Sequence, residues 1–343
     1  MAVYTQIDNP ELFFQVKTYS GTGSSNTITL DGSENMEPSL TWIKSRSHTY
    51  SHVWRDAVRG ANSFATNNTN KQYSSGTEIT SFNSDGFTLG TDSGVNNGSH
   101  TFVSWNWKAD GSGSSNSEGD ITATVSAETT AGFSIIKFTG NGSHSQSIGH
   151  GLNGTPTFWG VKNLTDDGVD FTMYWKGTDR IKLTTTEVME QNYLMSASST
   201  LLTTPSNASW VGGVSGKDYI MYAWQQLQGY SKFGTYVGNG STSGPYIHLG
   251  FRAAFIICKV ASGTTNDWTI LDNKRDTFNV SNSRLYANTS GAESDADRAD
   301  FTANGFKHRG DGNDMNGSGH TYFYMAFAES PFVNSKGVPN NSR

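Results

Sequence analysis

Apolar and polar positions along this chain follow short periods. Aromatic and β-branched runs such as "SLTWIKS", "HTFVSWNW", "FSIIKFT", "KDYIMYAW", "AAFIICKV" and "HTYFYMAF" are bounded by turn clusters such as "DGSEN", "NSDG", "NNGSH" and "DGNDMNGSG". Runs of this length and composition predict buried or half-buried strands, and the Gly, Asn and Asp clusters predict tight turns between them. No stretch carries a long amphipathic helical period. The best helix candidate is "TTTEVMEQNYLM" at 184–195, which is weakened by its threonines.

The strand-like runs recur in a fixed order. "VKTYSGTGSS", "IIKFTGNGSH" and "FGTYVGNGST" each set an aromatic residue before a G-x-G: Tyr19 with Gly21 and Gly23, Phe138 with Gly140 and Gly142, Tyr236 with Gly238 and Gly240. A lysine follows each aromatic by 25, 24 and 23 residues, at Lys44, Lys162 and Lys259. Each copy closes on an aromatic run, which contains Phe102, Trp105 and Trp107, then Tyr219, Tyr222 and Trp224, then Tyr322, Tyr324 and Phe327. Copies one and three also share a middle. "SFNSDGFTLG" matches "DFTANGFKHRG", and "WRDAVRG" aligns with "ILDNKRD", so Asp56 and Arg59 fall opposite Asp272 and Arg275.

Such a period predicts an all-β protein of three tandem β-sandwich, jelly-roll-like repeat domains of about 95 residues, at 17–108, 134–228 and 229–332. Residues 1–16 form an N-terminal arm. Its Leu12, Phe13 and Phe14 lie outside the repeat frame and look suited to docking on another protein. Residues 109–133 read as a Gly/Ser linker plus a further strand, and 333–343 as a C-terminal tail. The long linker leaves the first domain free to swing, whereas the direct join at "QQLQGYSKFGTY" sets domains two and three rigidly together. Three copies can stand around a pseudo-threefold axis or form a rod.

Composition narrows the function classes. With 343 residues, 16% charged residues and a net charge of −6, the chain lacks the basic balance expected of a nucleic-acid binder. No run reaches the length of a membrane-spanning helix and no secretory signal opens the chain, so a soluble, cytosolically made protein without membrane insertion is expected. Cys258, the sole cysteine, sits in an apolar run and reads as a small buried hydrophobe.

The candidate chemistry is sparse, and no cofactor or metal is expected. The G-x-G elements lack the following helix of a dinucleotide site, so their glycines read as turn formers. His48 and His52, His144 and His150, and His308 with His320 lack carboxylate or thiol partners at metal-site spacing, and His100 and His320 share one repeat position. "ESDADRAD", with Glu293, Asp295, Asp297 and Asp300, lacks the glycine and closing glutamate of a calcium loop. Glu34, Glu37, Asp166, Asp167, Asp170 and Asp179 qualify by type for glycoside hydrolysis, but nothing in the sequence selects a pair. Of the nine tryptophans most lie in strand runs; Trp175 and Trp210, near Gly-rich turns, are the candidates for surface or glycan contact.

Several ordered blocks carry a family resemblance: "NPELFFQVKTYSGTGSS", "WIKSRS", "DAVRGAN", "SFNSDGFTLG", "AGFSIIKFTGNG" with "IGHGL", "QGYSKFGTYVGNGS", "DNKRDTFNV" and "YFYMAFAESPFVNSKGVP". Over essentially its whole length the chain resembles a family of uncharacterised proteins of marine tailed phages. The resemblance implies a virion structural protein, tail-associated as a fibre or tip, with a capsid decoration or head-fibre protein as the alternative. A polysaccharide-degrading tail enzyme is the rival from another class. The partners implied are other virion proteins and a host-surface glycan or protein. Homotrimers are frequent among fibres.

Overall fold

The computed structural model describes residues 4–341 except 178, 192–194, 206–210 and 212. It is nearly all antiparallel β. Among the described residues helix is limited to short turns such as Pro10–Leu12 and Ser93–Asn96. The segment 184–191 holds no helix: Met189 N–H donates to Ala261 O and Lys182 pairs with Glu187, tying it to its neighbours instead.

Each copy builds its main sheet in the same order. The marker strand that carries the aromatic before G-x-G (Phe14–Ser20, Phe133–Thr139, Ser231–Val237) pairs with the closing strand (Thr101–Trp107, Asp218–Trp224, Thr321–Pro331). Next comes the lysine strand (Leu40–Ser45, Phe158–Asn163, Phe251–Ser262), then a fourth strand (Val53–Asp56, Thr172–Trp175, Thr269–Asp272) and a fifth (Asn62–Phe64, Asp179–Lys182, Ser281–Tyr286). The registers also correspond. Tyr19 pairs with Phe102, Phe138 with Tyr219 and Tyr236 with Tyr322, and all three pairs stack, with ring centroids 5.3, 5.4 and 5.1 Å apart. The segment expected to be a linker adds strands Ser114–Asn116 and Ala123–Glu128 to the marker edge of copy two.

Both faces of each main sheet are covered, which explains the continuous apolar runs in the sequence. The outer face is covered by further strands of its own copy, a separate three-stranded sheet in copies one and two and a continuation of the main sheet in copy three, and each encloses a small core: Ile28, Ile43, Phe87 and Phe102 in copy one, Ile136, Phe138, Trp159 and Tyr219 in copy two, Ile256, Cys258, Phe306 and Tyr324 in copy three. The inner faces of all three sheets meet in a single cluster that joins Trp42, Trp54, Trp105 and Trp107 to Phe158, Tyr222 and Trp224 and to Phe255, Trp268 and Phe327. Trp107 lies 6.4 Å from Trp224 and 5.6 Å from Phe327, centroid to centroid, and these three residues hold the same repeat position. A void of only about 20 Å³ remains in the cluster, lined by Trp107, Trp224, Phe255 and their neighbours.

Two expectations are thereby corrected. The copies are not separate domains on a flexible linker, and the first cannot swing, because its inner face is part of the common core. The N-terminal arm is not a free docking element. Phe14 opens the marker strand, is buried, and stacks on Phe327 at 5.1 Å; Phe13 and Leu12 are half-buried, with Phe13 against Tyr230. Two adjacent phenylalanines are too apolar to leave in water when a seam between copies one and three lies within reach.

The seams repeat in a cycle. The residue just before the fourth strand reaches the end of the neighbouring fifth strand: His52 Nε2 bonds Tyr286 O at 3.0 Å, Trp268 Nε1 donates to Lys182 O at 2.9 Å, and Phe171 meets Phe64 edge-on at 5.3 Å. Copy one thus contacts three, three contacts two, and two contacts one. A second cyclic contact is polar. Asp56, bonded by Arg59 Nε at 2.5 Å, accepts from Tyr222 of copy two at 2.6 Å, and Asp272, bonded by Arg275 Nε at 2.6 Å, accepts from Trp105 of copy one at 3.0 Å. At the third seam both partners are absent. Trp175 pairs with Phe158 where the aspartates pair with Leu40 and Phe255, and Met325 stands at the donor position of Tyr222 and Trp105.

A core shared in this way predicts one cooperative unfolding transition for the whole chain. Urea titrations followed by far-UV circular dichroism and by tryptophan fluorescence should coincide, and Asp56→Ala, which takes the counter-ion from buried Arg59 and the acceptor from the Tyr222 hydroxyl, should lower that single transition by about 3–5 kcal/mol. A separate early transition for copy one would contradict the shared core.

Candidate functional site

The three G-x-G elements are turns, and those of copies one and three are each locked by a buried asparagine. Gly23, Gly142 and Gly240 have φ of 71°, 89° and 63°, the left-handed region glycine adopts without a Cβ penalty. A Cβ on Gly21 would stand 2.1 Å from Asn97 O, and one on Gly238 2.4 Å from Gly317 O. In copy one, Asn96 Oδ1 accepts from Thr22 N–H at 2.9 Å, and Asn96 Nδ2 donates to Ser24 O and Gly90 O. In copy three, Asn316 Oδ1 accepts from Asn239 N–H at 2.9 Å, and Asn316 Nδ2 donates to Ser241 O and Gly310 O. Reading "NNGSH" and "DGNDMNGSG" as turn clusters misses this role. Both asparagines lie six residues before the closing aromatic, Phe102 or Tyr322, a spacing that marks them.

Lys44, Lys162 and Lys259 are buried, and their ammonium groups donate to backbone carbonyls. Lys44 Nζ donates to Ser45 O at 2.8 Å and His48 O at 3.2 Å, Lys162 Nζ to Val169 O at 2.5 Å, and Lys259 Nζ to Asn266 O. Burial pulls all three amines down to about 8. Each lysine ties down a loop that leaves its own strand.

The remaining candidates divide clearly. Trp175 is half-buried: Phe323 meets its ring at 5.7 Å and Lys176 Nζ lies over it at 4.5 Å, so it offers no open platform to a sugar. Trp210 lies outside the described residues. His52 is buried between Trp42 and Tyr286, and His308 is stacked 4.8 Å from Tyr236; burial pushes both down to about 3, and they are neutral at pH 7. No group of three His, Cys, Asp or Glu stands ready to hold a metal among the described residues. Glu293 is taken up by Arg46, at 2.7 Å, and by Arg275, Asp300 by Arg309, and most of "ESDADRAD" is strand. Burial lifts the Cys258 thiol to about 12, which leaves it unreactive.

Among the eligible carboxylates, Asp166 and Asp170 share an open cavity of about 440 Å³ on copy two with Asn163, Thr172, Arg180 and Lys182. Its charges are largely matched internally. Lys217 donates to Asp166 at 2.6 Å and holds its carboxyl below the usual range, Lys182 reaches Asp170 at 3.8 Å and Glu187 at 2.6 Å, and Arg180 pairs with Glu190 at 2.8 Å. Glu34 and Glu37 belong to copy one, and Asp167 pairs with Lys71 at 3.7 Å outside the cavity lining. Asp179 does not line it either.

A family model described as "Domain of unknown function (DUF7483)" matches residues 9–331, all three copies in one unit. The chain belongs to the DUF7483 family. No curated protein and no solved structure matches it. A single model over all three copies agrees with the shared core.

The buried lysines give this DUF7483 chain an unusual pH dependence. Their amines lose the proton near pH 8 when folded but near pH 10.5 when unfolded, so the unfolded state binds more protons in that window and stability rises with pH through it, by up to about 3 kcal/mol per lysine. Above about pH 10 the sign reverses, because burial raises Tyr19, Tyr222 and Tyr236 and the folded state keeps protons that unfolded tyrosine releases. Urea midpoints should therefore increase from pH 7.5 to a maximum near about 10, and Lys44→Met, Lys162→Met and Lys259→Met together should flatten the rise. A midpoint that falls steadily above pH 7.5 would contradict this account.

Proposed function

We propose that the chain is a structural protein of a phage virion, associated with the tail, that presents its outer β surfaces toward a host-cell glycan or protein. The observation that carries the reading is the pseudo-threefold block. Three sheets close on one aromatic core, with cyclic seams, and the chain's one cysteine, which is buried and free, forms no disulfide between them. Such a block suits a particle that must keep its shape outside a cell, and its symmetry suits a threefold-symmetric appendage. The resemblance of its sequence blocks to those of marine tailed-phage proteins supports the same reading. Gold-labelled antibody against the chain should decorate the tail of purified virions; particles that lack the protein would overturn the proposal.

One observation favours a second reading, a polysaccharide-degrading tail enzyme. Asp166 and Asp170 share the 440 Å³ cavity with two cations. The lowered carboxyl of Asp166 suits a base or nucleophile rather than a general acid, which needs a raised value. On this reading Asp166→Asn and Asp170→Asn each abolish reducing-sugar release from host envelope polysaccharide. Absence of release by the unsubstituted chain would remove it.

A further inference from the structure

A second cavity, of about 430 Å³, lies where the N-terminal segment, the join between copies two and three, and the C-terminal segment converge. Its walls are sewn together by hydrogen bonds. Thr5 Oγ1 donates to Gln228 O at 3.2 Å, Phe332 N–H to Gly250 O at 3.1 Å, Lys232 Nζ to His248 O at 2.7 Å, and Phe233 N–H to Gln226 Oε1 at 3.1 Å. These bonds fix the backbone around Gln226, Lys232 and Phe332, which lowers the ordering cost on binding.

Its lining differs in kind from the ion-paired cavity on copy two. Two aromatic rings, Tyr4 at 57% exposure and the half-buried Phe332, supply apolar faces. Gln226 and Gln228 supply amides, and His248 an imidazole. Among the described residues Lys232 is the one lysine or arginine in the lining, and no carboxylate lines it. Its ammonium has three donors and uses one on His248 O, so two remain for a ligand. Aromatic faces, neutral amides and a cation without a counter-ion, in a concavity of small-ligand size, match a ring with apolar faces, several hydroxyls and one negative charge.

We propose that this cavity binds an acidic sugar residue, a pyranose bearing a carboxylate. The carboxylate sits on Lys232, the hydroxyls bond the Gln226 and Gln228 side chains, and the ring packs on Tyr4 and Phe332. The inference rests on the reading of the chain as a host-surface protein and names the glycan class that this protein takes.

The test uses the full chain and isothermal titration with trimers of galacturonate, guluronate and mannuronate, with maltotriose as the neutral comparison. At least one acidic trimer should bind saturably and at least tenfold more tightly than maltotriose. Lys232→Met and Tyr4→Ala should each weaken it at least tenfold with unchanged urea midpoints, while Lys176→Met, outside the cavity, leaves it unaltered. Saturable binding by none of the acidic trimers, or equal binding by Lys232→Met, overturns the proposal. Its failure is distinct from that of the virion reading. Tail labelling without sugar binding sinks only the cavity assignment, and sugar binding by a chain missing from the particle sinks only the location.

Discussion

The common aromatic core is the interaction on which the rest of the structure depends. Each main sheet presents an inner row of large rings that its own copy cannot cover, because the copy's remaining strands lie over the opposite face. A row of exposed tryptophan and phenylalanine would lose about 1.5–3 kcal/mol for each side chain left in water. Three such rows facing one axis bury one another. No copy is therefore a finished domain, and the arm, the linker segment and the seams are all arranged around that closure.

Closure by a cycle also explains where the repeats diverge. In an exact trimer each seam would carry the same contacts, whereas in one chain each seam can change alone, provided both sides change together. The Asp–Arg pair with its donor survives at two seams. At the third, Trp175 replaces the aspartate and Met325 the donor, and the polar contact gives way to Trp175 packing on Phe323. Loss of only one partner would have left a buried charge or N–H unsatisfied. Joint replacement by apolar groups avoids this.

Several features were legible because they are local. The aromatic before each G-x-G, the lysine about two dozen residues on and the closing run fall on equivalent strands in one register, and the β-hairpins "SFNSDGF" and "DFTANGF" pair Phe82 with Phe87 and Phe301 with Phe306. The aspartate and arginine matched between copies one and three are buried ion pairs. The asparagines behind the G-x-G turns were hidden because Asn in a Gly-rich cluster reads first as a turn residue. The cavity beside Lys232 was hidden because its walls come from both ends of the chain and its middle.

Strand periodicity, turn chemistry and the threefold order of motifs follow from the sequence alone, since each depends on neighbours within one strand or one turn. The partner of each inner face depends on contacts more than a hundred residues apart, such as Tyr222 with Asp56 and Trp105 with Asp272. A tryptophan in an apolar run has the same local signature whether it fills its own sandwich or a common one. Tertiary structure made that choice, and with it turned a free arm into a core strand, a flexible first domain into a fixed one and the surface candidate Trp175 into part of a seam.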